Sequence, residues 1–321
     1  MAGNDLPMLR TSAAGHVDWE VRTVKTDIKR KYSGMMAPMV TPFTEDGKLD
    51  EGALARLTNF LIGSGIHMLF PTCTTGEAWT LTAAERRRVW EIVVRETKGR
   101  VPVLAGTGVL TTKESVDLTR VAETCGVDGV IVITPYYLAP PNDEELFQHF
   151  STVARSTGLP MFPYNHPIGG GPCISPDLVE RLATIPNVIG MKDGRDLALT
   201  IEYIRRAPPD FVVWQGPDNL TFPGLVMGCV GAIPAVANLV PEVCVKLYDA
   251  FLAGDWAKAM EAQATITRLR NSFALGTFPV VLKEAMGMKG MSVGSARAPT
   301  QPLTAQNKQK LRAILETTGV L

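Results

Sequence analysis

Eight short apolar runs punctuate the chain at residues 35–40, 67–70, 101–105, 129–133, 161–164, 188–191, 211–214 and 231–235. Each is rich in β-branched or aliphatic residues and lacks the polar alternation of a half-solvated strand. Such runs suit parallel strands covered by helices on the outside. Between them lie longer stretches with helical spacing of apolar residues, such as 51–62, 83–97, 113–124, 143–156 and 176–184. Eight strand–helix units within roughly 250 residues predict an α/β fold, a (β/α)8 TIM barrel, in preference to an open doubly wound sheet. Beyond residue 240 the pattern turns helical, with added apolar stripes over 273–288 and 305–317. The division predicted is an N-terminal extension over 1–33, the barrel over 34–240, and a last barrel helix with a C-terminal helical extension over 241–321.

Composition narrows the function classes. Of 321 residues, 32 are Lys or Arg and 32 are Asp or Glu, so the formal net charge is zero. That balance gives no electrostatic footprint for nucleic acid or an anionic membrane. No apolar run nears the roughly 20 residues that span a bilayer. Residues 1–32 are polar and mixed in charge, without the apolar stretch of a secretory signal. The five cysteines are odd in number and widely spaced, with no C-x-x-C pair, and the four histidines lack ligand spacing. Neither a disulfide framework nor a metal site is expected, and a reducing cytoplasm is the expected setting.

Catalytic groups of such barrels sit at the C-terminal ends of the strands. The sixth run ends in Gly190-Met191-Lys192-Asp193. Most lysines of the chain fall on polar helical faces or in loops, whereas Lys192 closes an apolar strand. Burial there disfavours the ammonium and leaves free amine, the species that attacks a ketone to form an imine. A lysine that snorkels to solvent is the competing reading. The fifth run ends in Tyr164-Asn165-His166-Pro167, where Tyr164 is a proton shuttle if its hydroxyl reaches the reacting centre, and otherwise a packing aromatic. The second run ends in Cys73-Thr74-Thr75-Gly76-Glu77. Hydroxyls and main-chain N–H groups in such a turn can hold a small carboxylate. The turn also leads into a helix, with Thr82 as its cap and Glu85 completing a capping box. Tyr136 and Tyr137 follow the fourth run, at the mouth of the site or at an interface. Asp218, after the seventh run, reads as a structural cap.

Taken together these residues resemble the dihydrodipicolinate synthase and N-acetylneuraminate lyase family of class I aldolases, from Gly34 to about Leu303. The motifs appear in the family's order: Pro38-x-Val40-Thr41-Pro42-Phe43, Thr74-Thr75-Gly76-Glu77 with Leu81-Thr82, Tyr164-Asn165-x-Pro167, and Gly190-x-Lys192-Asp193. The resemblance implies an imine between Lys192 and the C2 carbonyl of pyruvate or a longer 2-oxo acid. It implies carboxylate binding by Thr74, Thr75 and Gly76, and proton relay by Tyr164. Tyr137 matches a tyrosine that completes a hydroxyl relay, often across a subunit contact. Gly190 and Ile233 match pocket-wall positions. It further implies a homotetramer, a dimer of dimers, acting on a small 2-oxo acid with no metal or organic cofactor.

The chain also departs from that pattern. Gly169 stands where the synthase branch carries an arginine for the carboxylate of its second substrate. Cys73 replaces a frequent glycine, Pro234 a frequent serine, and Gly194-Arg195-Asp196 the usual small residues after the lysine. Specificity is therefore expected to lie with His166, Gly169 and Arg195, Arg195 taking a distal carboxylate or hydroxyl. The reaction expected is reversible carbon–carbon cleavage of a 4-hydroxy-2-oxo acid. Dehydration or deamination of a sugar-acid- or hydroxyproline-derived oxo acid through the same imine is the alternative. A relative that binds oxo acids without turnover is the third possibility.

Overall fold

The computed structural model describes the backbone of residues 5–11 and 17–23, and residues 27–137, 142–166 and 172–321 in full. Eight parallel strands form the barrel: β1 Gly34–Pro38, β2 Met68–Phe70, β3 Leu104–Gly106, β4 Gly129–Ile133, β5 Met161–Asn165, β6 Gly190–Asp193, β7 Val212–Gln215 and β8 Gly231–Ala232. They hydrogen-bond in the order β2-β1-β8-β7-β6-β5-β4-β3. A parallel bridge between Leu69 and Val103 brings the two ends together.

Each strand feeds an outer helix: α1 Glu51–Gly63, α2 Ala83–Thr97, α3 Thr112–Thr124, α4 Asp143–Arg155, α5 Pro176–Leu182, α6 Leu197–Arg206, α7 Thr221–Val226 and α8 Pro241–Leu252. Their starts follow the capping chemistry of the sequence. Thr82 and Glu85 form the reciprocal capping box at α2, and Asn142 and Glu145 repeat it at α4. Satisfying the orphan N–H groups in this way fixes where each loop at the barrel mouth ends and its helix begins.

Three more helices complete the chain: α9 Trp256–Asn271, α10 Val280–Met288 and α11 Ala305–Thr317. Leu282 of α10 and Leu311 and Leu315 of α11 are fully buried, so the extension shares the barrel's core. No helix among the described residues is long and apolar enough to cross a membrane.

At the N-terminal end, two strands, Asp5–Thr11 and Val17–Thr23, pair antiparallel as a ribbon. A short helix, Asp27–Lys31, follows. Tyr32, which the sequence division assigns to the N-terminal extension, is buried against the barrel. Its ring packs on Phe162 at 5.2 Å and Trp214 at 6.5 Å, and its hydroxyl donates to Asp128 O at 2.9 Å. The Trp214 indole N–H donates to Tyr32 O at 2.8 Å. Together these aromatics fill the floor of the barrel.

Candidate active site

Lys192 and Tyr164 are partners in register on β6 and β5. Strand pairing alone therefore sets the two side chains beside each other. Lys192 is 5% exposed, and its Nζ lies 4.0 Å from the centre of the Tyr164 ring and 5.3 Å from that of Phe70. The nitrogen has no hydrogen-bond or ion-pair partner among the described residues. Burial lowers the Lys192 pKa to about 8, against weaker opposing pulls from Cys73 and Asp218. An amine in this setting is neutral far more often than a surface lysine.

Space for the lysine comes from Gly216, just past β7. A Cβ there would lie 2.7 Å from Asp193 O and 3.3 Å from Lys192 Cε. The position of Gly216 directly after an apolar strand is the signal the sequence offers for this role.

Tyr164 is nearly buried, and the His166 ring stands edge-on to it at 4.9 Å. Burial raises the phenol's pKa, with a hydrogen-bonding contact from Thr74 acting the other way. Tyr164 thus enters the site as a protonated donor.

The turn after β2 is tightly determined. Thr72 and Glu77 flank it in the left-handed region, both with φ of 54°. For a β-branched residue this is a strained backbone that surrounding contacts must hold. The Thr72 hydroxyl accepts from the Trp90 indole N–H at 2.7 Å and donates to Gly106 O at 3.0 Å. The N–H groups of Gly76, Glu77 and Ala78 are consumed inside the turn, by Cys73 O, Thr74 O and Cys73 O respectively. The Thr41 hydroxyl donates to Gly76 O at 2.6 Å. The Thr74 main-chain N–H has no protein acceptor among the described residues, while the Thr75 N–H and hydroxyl lie against the Cys73 thiol. Gly76 packs against β1, since a Cβ there would meet Met39 O at 2.7 Å.

A cavity of about 470 Å³ opens beside this cluster, lined in part by Cys73, Thr74, Tyr164 and His166. Tyr136, expected at the mouth of the site or at an interface, also lines it, as do Trp79, Arg86 and Phe278, which the sequence did not single out. The Arg86 guanidinium is committed to Ala78 O at 2.6 Å and Gly106 O at 3.4 Å.

Other expected residues lie elsewhere. Tyr137 is 86% exposed, has φ of 75°, and does not line the cavity; Tyr136 does. Arg195 is half-buried at the start of the loop after β6. It donates to Asn165 Oδ1 at 3.0 Å and His166 O at 3.2 Å, which stiffens the β5 end. Gly190 makes a close approach to β7, where a Cβ would lie 2.4 Å from Val212 O. Ile233 is buried and donates its N–H to Gln215 O at 2.8 Å, outside the cavity lining. Gly169 falls outside the described residues. Asp218 caps neither of the helical turns that follow it; its carboxylate instead accepts from the distant Val236 N–H at 2.9 Å.

The family model for the dihydrodipicolinate synthetase family matches residues 31–318. The chain belongs to that family. The 4-hydroxy-tetrahydrodipicolinate synthase of Methanothrix thermoacetophila is 38% identical over 286 residues, covering 88% of this chain and 96% of that protein. The crystal structure of a dihydrodipicolinate synthase from Bacillus anthracis superposes with a TM-score of 0.86 at 35% identity, covering 89% of this chain and 98% of that one. YagE, a prophage protein of the dihydrodipicolinic acid synthase family from E. coli K12 solved in complex with pyruvate, superposes at 0.87 with 35% identity, over 90% of this chain and 99% of that one. Like other members of the dihydrodipicolinate synthetase family, the chain is an enzyme, a lyase of the aldolase type. These relatives give the dehydratase alternative no support.

Proposed function

We propose that the enzyme joins pyruvate reversibly to an aldehyde through an imine on Lys192. The observation that carries this is the buried, unpartnered Lys192 Nζ, 4.0 Å over the ring of a phenol on the neighbouring strand. Free amine attacks C2 of pyruvate, and loss of the C2 oxygen as water gives the protonated imine. That cation draws electrons from C3, so a C3 proton leaves and an enamine forms. The enamine C3 attacks the aldehyde carbon, the aldehyde oxygen takes a proton, and water hydrolyses the imine to release a 4-hydroxy-2-oxo acid. The imine is the electron sink, so this route calls for no metal or organic cofactor.

Tyr164 moves the protons, being placed beside the amine and in contact with Thr74. Thr74 and Thr75 grip the pyruvate carboxylate with hydroxyls and main-chain N–H groups of the turn. His166 faces the second reactant. Tyr137 acts from one copy in the site of another within a homotetramer, a role its exposure supports. Free cysteines, three of them buried, suit a reducing cytoplasm.

Borohydride trapping with pyruvate tests the reading. The expected result is a stable adduct on the peptide containing Lys192, and loss of nearly all turnover in Lys192→Ala with the fold retained by circular dichroism. A wild-type enzyme that turns over without that adduct, or an active Lys192→Ala, would overturn it.

A further inference from the structure

Glu77 ends the carboxylate-binding turn, is fully buried, and has left-handed backbone geometry. Two groups of the C-terminal extension reach it. Lys283 of α10 forms an ion pair with Glu77 Oε1 at 2.5 Å, its side chain 2% exposed and that of Glu77 0%. The main-chain N–H of Arg297 donates to Glu77 Oε2 at 2.9 Å. Each partner is itself held. Lys283 Nζ donates to Ser295 O at 3.2 Å and lies 4.3 Å over the Phe43 ring. The Arg297 guanidinium pairs with Glu85 at 2.5 Å, donates to Thr80 O and Gly47 O, and lies 4.2 Å from the centre of the Phe43 ring.

A buried carboxylate is stable only when paired and hydrogen-bonded, so these contacts fix Glu77 in one position. Position matters here for a local reason. The Glu77 N–H closes the turn onto Thr74 O at 3.1 Å, and Gly76 is tied to both Cys73 and Thr41. A shift at Glu77 therefore moves Thr74, whose N–H has no acceptor among the described residues, and Thr75 beside it. Burying a full ion pair is no economical route to stability, since an apolar pair of equal volume does as well. Its directional hold on one strained turn is the property an apolar pair lacks.

We propose that Glu77, Lys283 and Arg297 are positioning residues for substrate carboxylate: the C-terminal extension sets the geometry of the Thr74–Thr75 turn from behind. The proposal rests on the pyruvate-binding role given to that turn above.

The test compares Glu77→Gln, Lys283→Met and the double variant, in the full-length enzyme. Glu77→Gln keeps the volume and shape, so it reports even if Lys283→Met folds poorly. Each single variant is expected to raise the KM for pyruvate about tenfold, with kcat within threefold and the Lys192 adduct still formed at saturating pyruvate. The double variant, with no buried charge left unpaired, is expected to recover the melting temperature while KM stays high. If KM returns with the melting temperature, or does not move in the folded single variants, the residues are only structural and the proposal fails. Absence of the borohydride adduct in the wild type would instead sink the imine reading, a separately visible result.

Discussion

One nitrogen decides how this site responds to pH. With a pKa near 8, about a tenth of Lys192 is free amine at pH 7, against roughly one part in three thousand for an unperturbed lysine. The rate of imine formation with pyruvate is therefore expected to rise through pH 8 and level off above it. Rapid-mix borohydride quenching across pH 6–10 reads this, and a rate still climbing tenfold per unit at pH 10 would contradict it. Stability follows the same proton. Below about pH 8 the folded protein carries a buried ammonium at a penalty, while between that pH and the ordinary lysine value only the unfolded chain holds the proton, so stability rises with pH across that window. Lys192 was legible in the sequence because a charge at the end of an apolar strand is conspicuous. Arg195 was not. Its place depends on Asn165 and His166 O, partners that only the folded loop brings within reach.

At the scale of elements, the strand positions were readable and their ends were less so. The sixth strand was read as 188–191, yet β6 runs Gly190–Asp193. A reading of polarity stops before a charged pair, whereas Asp193 is accommodated in the strand by Asn165 Nδ2 at 3.0 Å, the Thr200 hydroxyl at 2.6 Å and the Arg195 N–H at 3.2 Å. The stripe over 273–288 was read as one helix. It divides into a 3-10 turn, Ser272–Leu275, and α10, because Gly276 and Pro279 interrupt it. Helix α9 was not singled out at all. The join between β7 and its following turn carries a prediction: Gly216→Ala pushes a methyl group toward Asp193 O and the lysine stem. It is expected to destabilise the fold by about 1–3 kcal/mol. Denaturant melts and pyruvate trapping, measured together, should both fall; unchanged values for the two would show that the approach is not tight.

For the whole molecule, the barrel, the outer helices and the helical tail all follow from the order of runs in the chain, but the relation between copies does not. Tyr137 is the relevant residue: a large, exposed side chain on strained backbone, outside its own cavity. Tyr137→Phe is expected to leave the melting temperature unchanged and to lower kcat at least tenfold, with sedimentation velocity reporting a tetramer for both proteins. A monomeric wild type with full activity would remove Tyr137 from the relay. The sequence marked this residue through the family pattern, since no feature of a single chain says where an exposed phenol goes.

The aromatic plug of Tyr32, Phe162 and Trp214 shuts one end of the barrel. Reactants are then expected to come and go at the opposite end. With pyruvate held on Lys192 as proposed, cleavage would free the aldehyde first, and pyruvate would follow only once water has severed it from the amine.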